Sequence, residues 1–432
     1  MSTADELLAK AKKPAKLAMK YHPFYAGKIE MMPKCAIRSF YDFGIWYTPG
    51  VAAPCMDIYD NKDKVFEYTN KWNTVAVVTD GTRVLGLGNI GAEAGMPVME
   101  GKSLLFKYLG GVDSYPICLA TKDAEEIITA VKWIQPSFGG INLEDIEKPK
   151  CFYILDRLRE EMDIPVWHDD QQGTATVVLT GIINALKIVG KKMDDATISM
   201  IGAGAANIRV AYVLMAAGVK PENIIMVDSK GILHQGRSDL EAQKEENRDK
   251  WEMCLKTNVE GRTGGIGEAM KDTDACVAMA RSDPSTIKKE WVTDMSTDAI
   301  VFACANPLPE IWPWEATEAG AKIVATGRSD FEGYSQVNNS LGFPGIFRGV
   351  LDVKAKTITD QMCIVAAEEL ARCAEDKGIH EGYIIPTMDE WEVYPREATA
   401  VALEAIKQGH ARVKLSRDEI FERASAIIKR AR

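Results

Sequence analysis

Two stretches of this chain set acids beside glycines. The first is Phe138-Gly139-Gly140-Ile141-Asn142-Leu143-Glu144-Asp145. The second is Pro165-Val166-Trp167-His168-Asp169-Asp170-Gln171-Gln172-Gly173-Thr174. Each breaks from an apolar run into carboxylates, as loops at strand ends do, and such loops commonly carry site residues. Glu144, Asp145, Asp169 and Asp170 would repel one another if gathered, so a positive charge must compensate them. Oxygen-only donors suit a hard divalent cation, magnesium or manganese. Either stretch alone would pass for a solvated acidic loop, or for a helix cap at Asn142 or Asp169. The apolar flanks, the glycines and the presence of both favour one shared site.

A lysine stands apart from these acids in sequence. Met99–Lys107 predicts the start of a helix, with Lys102 near its first turn. The helix dipole and partial burial would both lower its pKa there, which suits a general base. Tyr47 lies in the turn Tyr47-Thr48-Pro49-Gly50, off any regular element.

A third group points to a nucleotide. The apolar run Ala196–Ile201 predicts a strand. Gly202-Ala203-Gly204-Ala205-Ala206-Asn207 follows and opens a helix, and Asn223–Val227 predicts a second strand ending at Asp228. A glycine turn, a helix N-terminus for the pyrophosphate and a strand-end acid for the ribose make a dinucleotide-binding unit. Asp228 favours NAD, whereas Ser229, Lys230, Arg237 and Lys244 offer groups for the 2′-phosphate of NADP, so both remain open. The earlier series Gly86, Gly88 and Gly91 has no clear helix directly after it and predicts close backbone approach instead.

The elements that must position these residues follow from periodicity. Residues 74–79 form a β-branched run, a buried strand. Strands at 114–119 and 164–167 alternate with helices at 121–134 and 151–162, which predicts an α/β domain with parallel strands. Both acid loops then fall at strand carboxyl ends, where open α/β sheets bind ligands. Thr174–Val189 is a long apolar helix. Beyond the nucleotide unit, residues 235–272 predict a charged, solvated excursion. Strands at 275–279, 299–303 and 321–326 follow, then helices at 353–371, 397–407 and 417–430 that pack back on one or both domains. Residues 3–20 predict an amphipathic helix carrying Leu7, Leu8, Ala11, Ala15 and Ala18.

A chain of 432 residues predicts at least two cores. The boundaries expected are 1–180 for a catalytic domain, 181–350 for a Rossmann-like domain and 351–432 for a helical segment. A net charge of −10 argues against a nucleic-acid partner. Nine scattered cysteines without a C-x-x-C pair predict a reducing cytoplasm rather than a disulfide framework. No apolar run is long enough to span a bilayer. The lysine-rich start resembles a transit peptide, but Asp5, Glu6 and the lack of arginine weigh against one.

With these pieces in order, the chain resembles a malic enzyme of the short, bacterial-like type. The resemblance runs from about Ala18 to at least Thr359. It is carried by Tyr47-Thr48-Pro49-Gly50-Val51-Ala52, Glu100-Gly101-Lys102, Phe138–Ile146, His168–Thr174, Ala305-Asn306-Pro307, Ala325–Asp330 and Asn338-Asn339. Three departures stand out: Asn207 for a small residue, Gln172 where histidine is common, and a slightly longer Phe331–Ser335.

The resemblance implies oxidative decarboxylation of L-malate to pyruvate and carbon dioxide, with NAD⁺ or NADP⁺ reduced. It implies a magnesium or manganese ion on Glu144, Asp145 and Asp170. Lys102 would be the base, tuned by Asp169, and Tyr47 the acid for the enol. Arg83, Asn306 and Asn338 or Asn339 would hold substrate. Gly202, Gly204, Ala205, Ala206, Asn207, Asp228, Ser229, Lys230 and Asn306 would hold the nucleotide. It also implies a homodimer whose sites are completed near the subunit interface. An amino-acid dehydrogenase and a non-catalytic nucleotide sensor are the competing readings. The first gives the acids at 144, 145 and 170 no role, and the second predicts a lost catalytic residue that this chain retains.

Overall fold

The computed structural model describes residues 4–328 and 330–432, the side chains of 4–13 excepted. Leu7, Leu8 and Ala11 of the first helix, and Ser329 of the 325–330 motif, lie outside the described side chains.

Two parallel sheets organise the chain. The first has strands β1 (Thr74–Thr79), β2 (Asp113–Cys118), β3 (Gly140–Leu143) and β4 (Val166–His168) in the order β2-β1-β3-β4. The second has β5 (Ile198–Ile201), β6 (Ile224–Asp228), β7 (Gly231–Ile232), β8 (Ala275–Ala278), β9 (Ile300–Ala303), β10 (Ile323–Thr326) and β11 (Ser335–Gln336). Its order is β11-β10-β9-β8-β5-β6-β7, and only the β6–β7 pair is antiparallel. The fold is thus α/β, with a doubly wound second sheet. Strand order reverses beside β1 in one sheet and beside β5 in the other, and the loops after these strands part to leave a crevice.

The glycines before the first acid loop have packing reasons. A Cβ at Gly139 would lie 2.2 Å from the carbonyl of Lys71, and one at Gly140 would lie 2.9 Å from the Phe347 ring. β3 is buried along its whole length and delivers Glu144 and Asp145 directly from its carboxyl end. After β4 the chain makes one π-helical turn, Asp169–Gly173, before the helix Thr174–Ile188. That helix packs on the nucleotide-domain helix Ala205–Ala216 and on Asp360–Lys377. The helices Phe343–Asp352 and Arg417–Ala431 return against Ala92–Gly110 of the first domain, and Val393–Lys407 packs on both of them. Phe106, Trp167, Phe343 and Phe347 form the aromatic centre of this core.

Several expectations need correction. A helix does open after Gly91: it spans Ala92–Gly110, so Lys102 sits in its middle and away from the positive end of the dipole. The Pro97 within it concealed the start. The glycine series before it still serves close approach. A Cβ at Gly86 would lie 2.8 Å from the carbonyl of Asn306, and one at Gly81 would lie 2.3 Å from that of Gly91. Residues 235–272 are not merely solvated, because short helices there bury Leu240, Met253, Cys254, Ala269 and Met270. The predicted helix 353–371 begins only at Asp360, capped by Thr359, and runs to Lys377, while a separate helix, Phe343–Asp352, precedes it. No helix among the described residues is long and apolar enough to cross a membrane.

Candidate active site

A cleft of about 1500 Å³ runs between the two sheets. Arg83, Lys102, Glu144, Asp145 and Asp170 line one side, with Gly202–Ala206, Asp228, Ser229 and Asn306 on the other. Asn338 and Asn339 also line it.

Glu144, Asp145 and Asp170 each bring one carboxylate oxygen within 4.8 Å of the others. Asp145 takes a left-handed conformation, φ +55°, which turns its amide onto Asp170 Oδ2 at 3.0 Å. Asn142 donates to Glu144 Oε2 at 2.8 Å. Asp145 Oδ1 accepts from the amide of Leu85 at 3.3 Å, while its buried Oδ2 has no hydrogen-bond partner among the described residues. Burial and the neighbouring acids push Glu144 well above the carboxylate range against the pull of Lys102. Burial, then Asp170, pushes Asp145 up to about 8.

Lys102 sits at the edge of this triad. Its ammonium lies 2.5 Å from Asp169 Oδ2, 3.0 Å from Glu144 Oε1 and 4.4 Å from the centre of the Phe343 ring. Burial opposes its charge, but Asp169 and Glu144 outweigh burial and hold it above its ordinary value. This reverses the expected lowering, because both the helix position and the acids differ from what the local sequence predicts. Asp169 is itself held. Trp167 donates to its Oδ1 at 3.1 Å, and Asn339 donates to the same oxygen that meets Lys102. Gly173 is a glycine because a Cβ there would lie 2.2 Å from Asp169 Oδ1. His168 is fully buried and pushed down to about 4 by that burial, so it is neutral.

On the nucleotide side, Gly202 takes φ +101°, and a Cβ there would lie 2.8 Å from the carbonyl of Met279. A Cβ at Gly204 would meet nothing within 4 Å. Asn207 does not line the cleft. Its amide donates to the carbonyls of Ile201 and Gly202 at 3.0 and 2.8 Å, which pins the turn and explains the departure from a small residue. Gln172 is also structural, accepting from the amide of His168 at 3.0 Å. Lys230 points away to Asp239, and Asn338 spends its Oδ1 on capping Ser340.

Tyr47 is not brought to the cleft. It is 74% exposed on an N-terminal segment with little burial of its own. Three lysines not expected at the site also line the cleft: Lys28, Lys148 and Lys250. Lys28 donates to the carbonyl of Pro97 at 2.7 Å. None of the three has a local signal, since no strand, turn or glycine pattern marks them as cleft residues.

Residues 26–159 match the family model of the malic enzyme N-terminal domain, and residues 171–408 match that of the malic enzyme NAD binding domain. The chain belongs to the malic enzyme family. The bifunctional malic/malolactic enzyme of Bacillus subtilis is 46% identical over 95% of this chain and 97% of its own. The NAD-dependent malic enzyme of Geobacillus stearothermophilus is 48% identical over 89% and 78%. The crystal structure of the Entamoeba histolytica malic enzyme superposes with a TM-score of 0.95 at 48% identity, covering 100% of this chain and 90% of that one. Oxidative decarboxylation of malate, with a nicotinamide dinucleotide and a divalent metal, is the general activity of malic enzymes.

The residues of this malic enzyme fit both groups. An all-oxygen triad with an orphaned, buried Asp145 oxygen matches a hard divalent cation. The open space at Gly204, before the helix Ala205–Ala216, leaves room for a pyrophosphate at a helix N-terminus. In a malic enzyme the triad has a task that a metal-free amino-acid dehydrogenase would not give it.

Proposed function

We propose that this chain oxidises L-malate to pyruvate and carbon dioxide using Glu144, Asp145 and Asp170 as the seat of Mg²⁺ or Mn²⁺. NAD⁺ or NADP⁺ then occupies the cleft beside Gly202, Gly204, Ala205, Ala206, Asp228 and Ser229. Asn207 and Lys230 support that wall from behind. The observation that carries the reading is Lys102, buried between Asp169 and the triad.

When bound, the divalent ion polarises the substrate oxygens and the nicotinamide accepts hydride. Lys102, once its ammonium has released its own proton to solvent, takes the hydroxyl proton. Its release of a proton becomes easier as Glu144 shares its negative charge with a ligand, because that charge is part of what holds the ammonium. Asp169, fixed by Trp167 and Asn339, keeps Lys102 aimed and is a positioning residue. Arg83 pairs with a substrate carboxylate. Asn306, with Asn338 or Asn339, supplies neutral hydrogen bonds. Tyr47 protonates carbon in the enol product.

The same proposal makes the protein a homodimer. Phe24, Met31, Met32, Phe40, Tyr41 and Tyr59 are 76–91% exposed, close to Tyr47 in sequence. So many large apolar side chains left bare along one segment are the mark of a protein–protein contact. A second copy would cover it and receive Tyr47 into its cleft. A cytoplasmic location is the natural companion of nine cysteines without paired spacing.

The test follows the absorbance of reduced nicotinamide with L-malate and NAD⁺ or NADP⁺, with and without Mn²⁺. A metal-dependent rise with pyruvate as product is expected, and no rise with either nucleotide overturns the reading. Light scattering should give twice 47.6 kDa; a mass near that single-chain value overturns the dimer.

A further inference from the structure

The acid at the end of β6 has no lone pair left for a ribose. Asp228 Oδ1 accepts from Arg237 Nη1 at 3.0 Å and from the Lys230 amide at 2.8 Å. Its Oδ2 accepts from Arg237 Nη2 at 3.0 Å and pairs with the ammonium of Lys250. A carboxylate offers about four acceptor sites, and these four contacts fill them. The side chain is 6% exposed, so solvent does not compete for it. The usual preference for NAD at such a site needs this carboxylate to accept from the ribose hydroxyls and to repel a 2′-phosphate. Here both functions are blocked, since the acceptors are taken and the charge is neutralised by Arg237 and Lys250.

Cations face the cleft at the same place. Lys250 lines it beside Asp228 and Ser229. Lys148 reaches across from the first domain and donates to the carbonyl of Ala203, in the glycine turn, at 3.2 Å. Lys148 has no ion pair with a carboxylate among the described residues. A cation without a counter-ion, next to a neutralised acid and a serine hydroxyl, has the chemistry of a phosphate monoester site.

We propose that Lys250 and Lys148, with Ser229, form a subsite for the 2′-phosphate, and that this chain prefers NADP⁺ to NAD⁺. Asp228 then serves to anchor Arg237 and Lys250. The inference rests on the dinucleotide-dependent function above.

The test is calorimetric titration of the full chain with 2′,5′-ADP and with 5′-AMP, without malate or metal. The first ligand should bind at least about tenfold more tightly, since one charge-assisted contact is worth that much. Lys148→Ala and Lys250→Ala should each weaken 2′,5′-ADP by about tenfold and leave 5′-AMP within about twofold. Equal binding of the two ligands overturns the proposal, as does an equal loss for both in either variant. Failure of the underlying function would show differently, as no malate-dependent reduction of either nucleotide while the ranking of the two ligands stays readable.

Discussion

Lys102 donates to Asp169 at 2.5 Å, and neither side chain has meaningful contact with solvent. The pair joins the middle of one helix to the turn after β4, and Asp169 spends its other oxygen on Trp167. Asp169 is therefore committed to the lysine, while Asp170, one residue on, belongs to the triad. Adjacent acids face different partners because the π-helical turn separates their side chains.

Lys102→Ala should lower turnover by about 10²–10⁴, the usual contribution of a positioned acid–base group. It also leaves Asp169 and Glu144 uncompensated, at a cost of about 3–5 kcal/mol. Mn²⁺ should therefore raise the melting temperature of the variant more than that of the wild type. Equal rises in the two proteins would contradict the charge coupling between Lys102 and the triad.

Gly173→Ala isolates the position of Asp169. Gly173 has helical backbone angles, φ −64° and ψ −47°, so alanine suits the backbone. The atoms nearest the new methyl belong to Asp169 and Asn339. Turnover should fall by about tenfold to a hundredfold, as small misplacements of catalytic groups do. A melting temperature within a few degrees of wild type is expected beside it. Unchanged turnover would show that Lys102 does not depend on Asp169 for its aim.

Metal affinity should rise with pH. Asp145 is raised to about 8 by burial and by Asp170, and Glu144 is raised as well. Protons therefore compete with the ion for these oxygens across the neutral range, and binding must expel them. Titration with Mn²⁺ at about pH 6 and about pH 8 should show tighter binding at the higher value. Buffers of different ionisation enthalpy should reveal proton release. Affinity independent of pH would remove these acids from the ligand set.

Glu397 is a buried carboxyl on the helix Val393–Lys407, and neither oxygen has a hydrogen-bond partner among the described residues. It crowds Gly345, where a Cβ would lie 1.9 Å from Oε2. Burial raises it well above the carboxylate range. The folded state thus holds a proton that the unfolded chain gives up near its ordinary value. Stability is full below that value and falls as pH rises towards the folded one. Glu397→Gln should raise the melting temperature at about pH 8 and change it little at about pH 4. An equal shift at both would assign the effect to packing.

Much of the site was legible because its signals are local. Strand-to-acid breaks at Glu144 and Asp169 mark loops wherever the strands lie, and the 202–207 turn carries its own strand and helix. Lys102 was legible as a candidate base, but the direction of its pKa shift was not, since its charge state is set by Asp169, 67 positions away, and by Glu144. The helix start at Ala92 was hidden by glycine and proline, which weaken helix propensity while tertiary packing sustains the helix. Lys28, Lys148 and Lys250 escaped because nothing within a few residues marks a lysine that faces a cleft.

The sequence by itself determined the α/β class, the strand-end placement of the acids, the dinucleotide turn and the resemblance to malic enzymes. Each depends on periodicity or on short spacings that a chain carries wherever it folds. Tertiary structure alone decided that Asp169 belongs to Lys102 and Asp170 to the triad, that Asp228 is consumed by Arg237 and Lys250, and that Tyr47 stands outside its own cleft. Those outcomes depend on which groups meet across long sequence separations. Electrostatic pairing and burial are properties of that meeting, not of any residue or its neighbours in the chain.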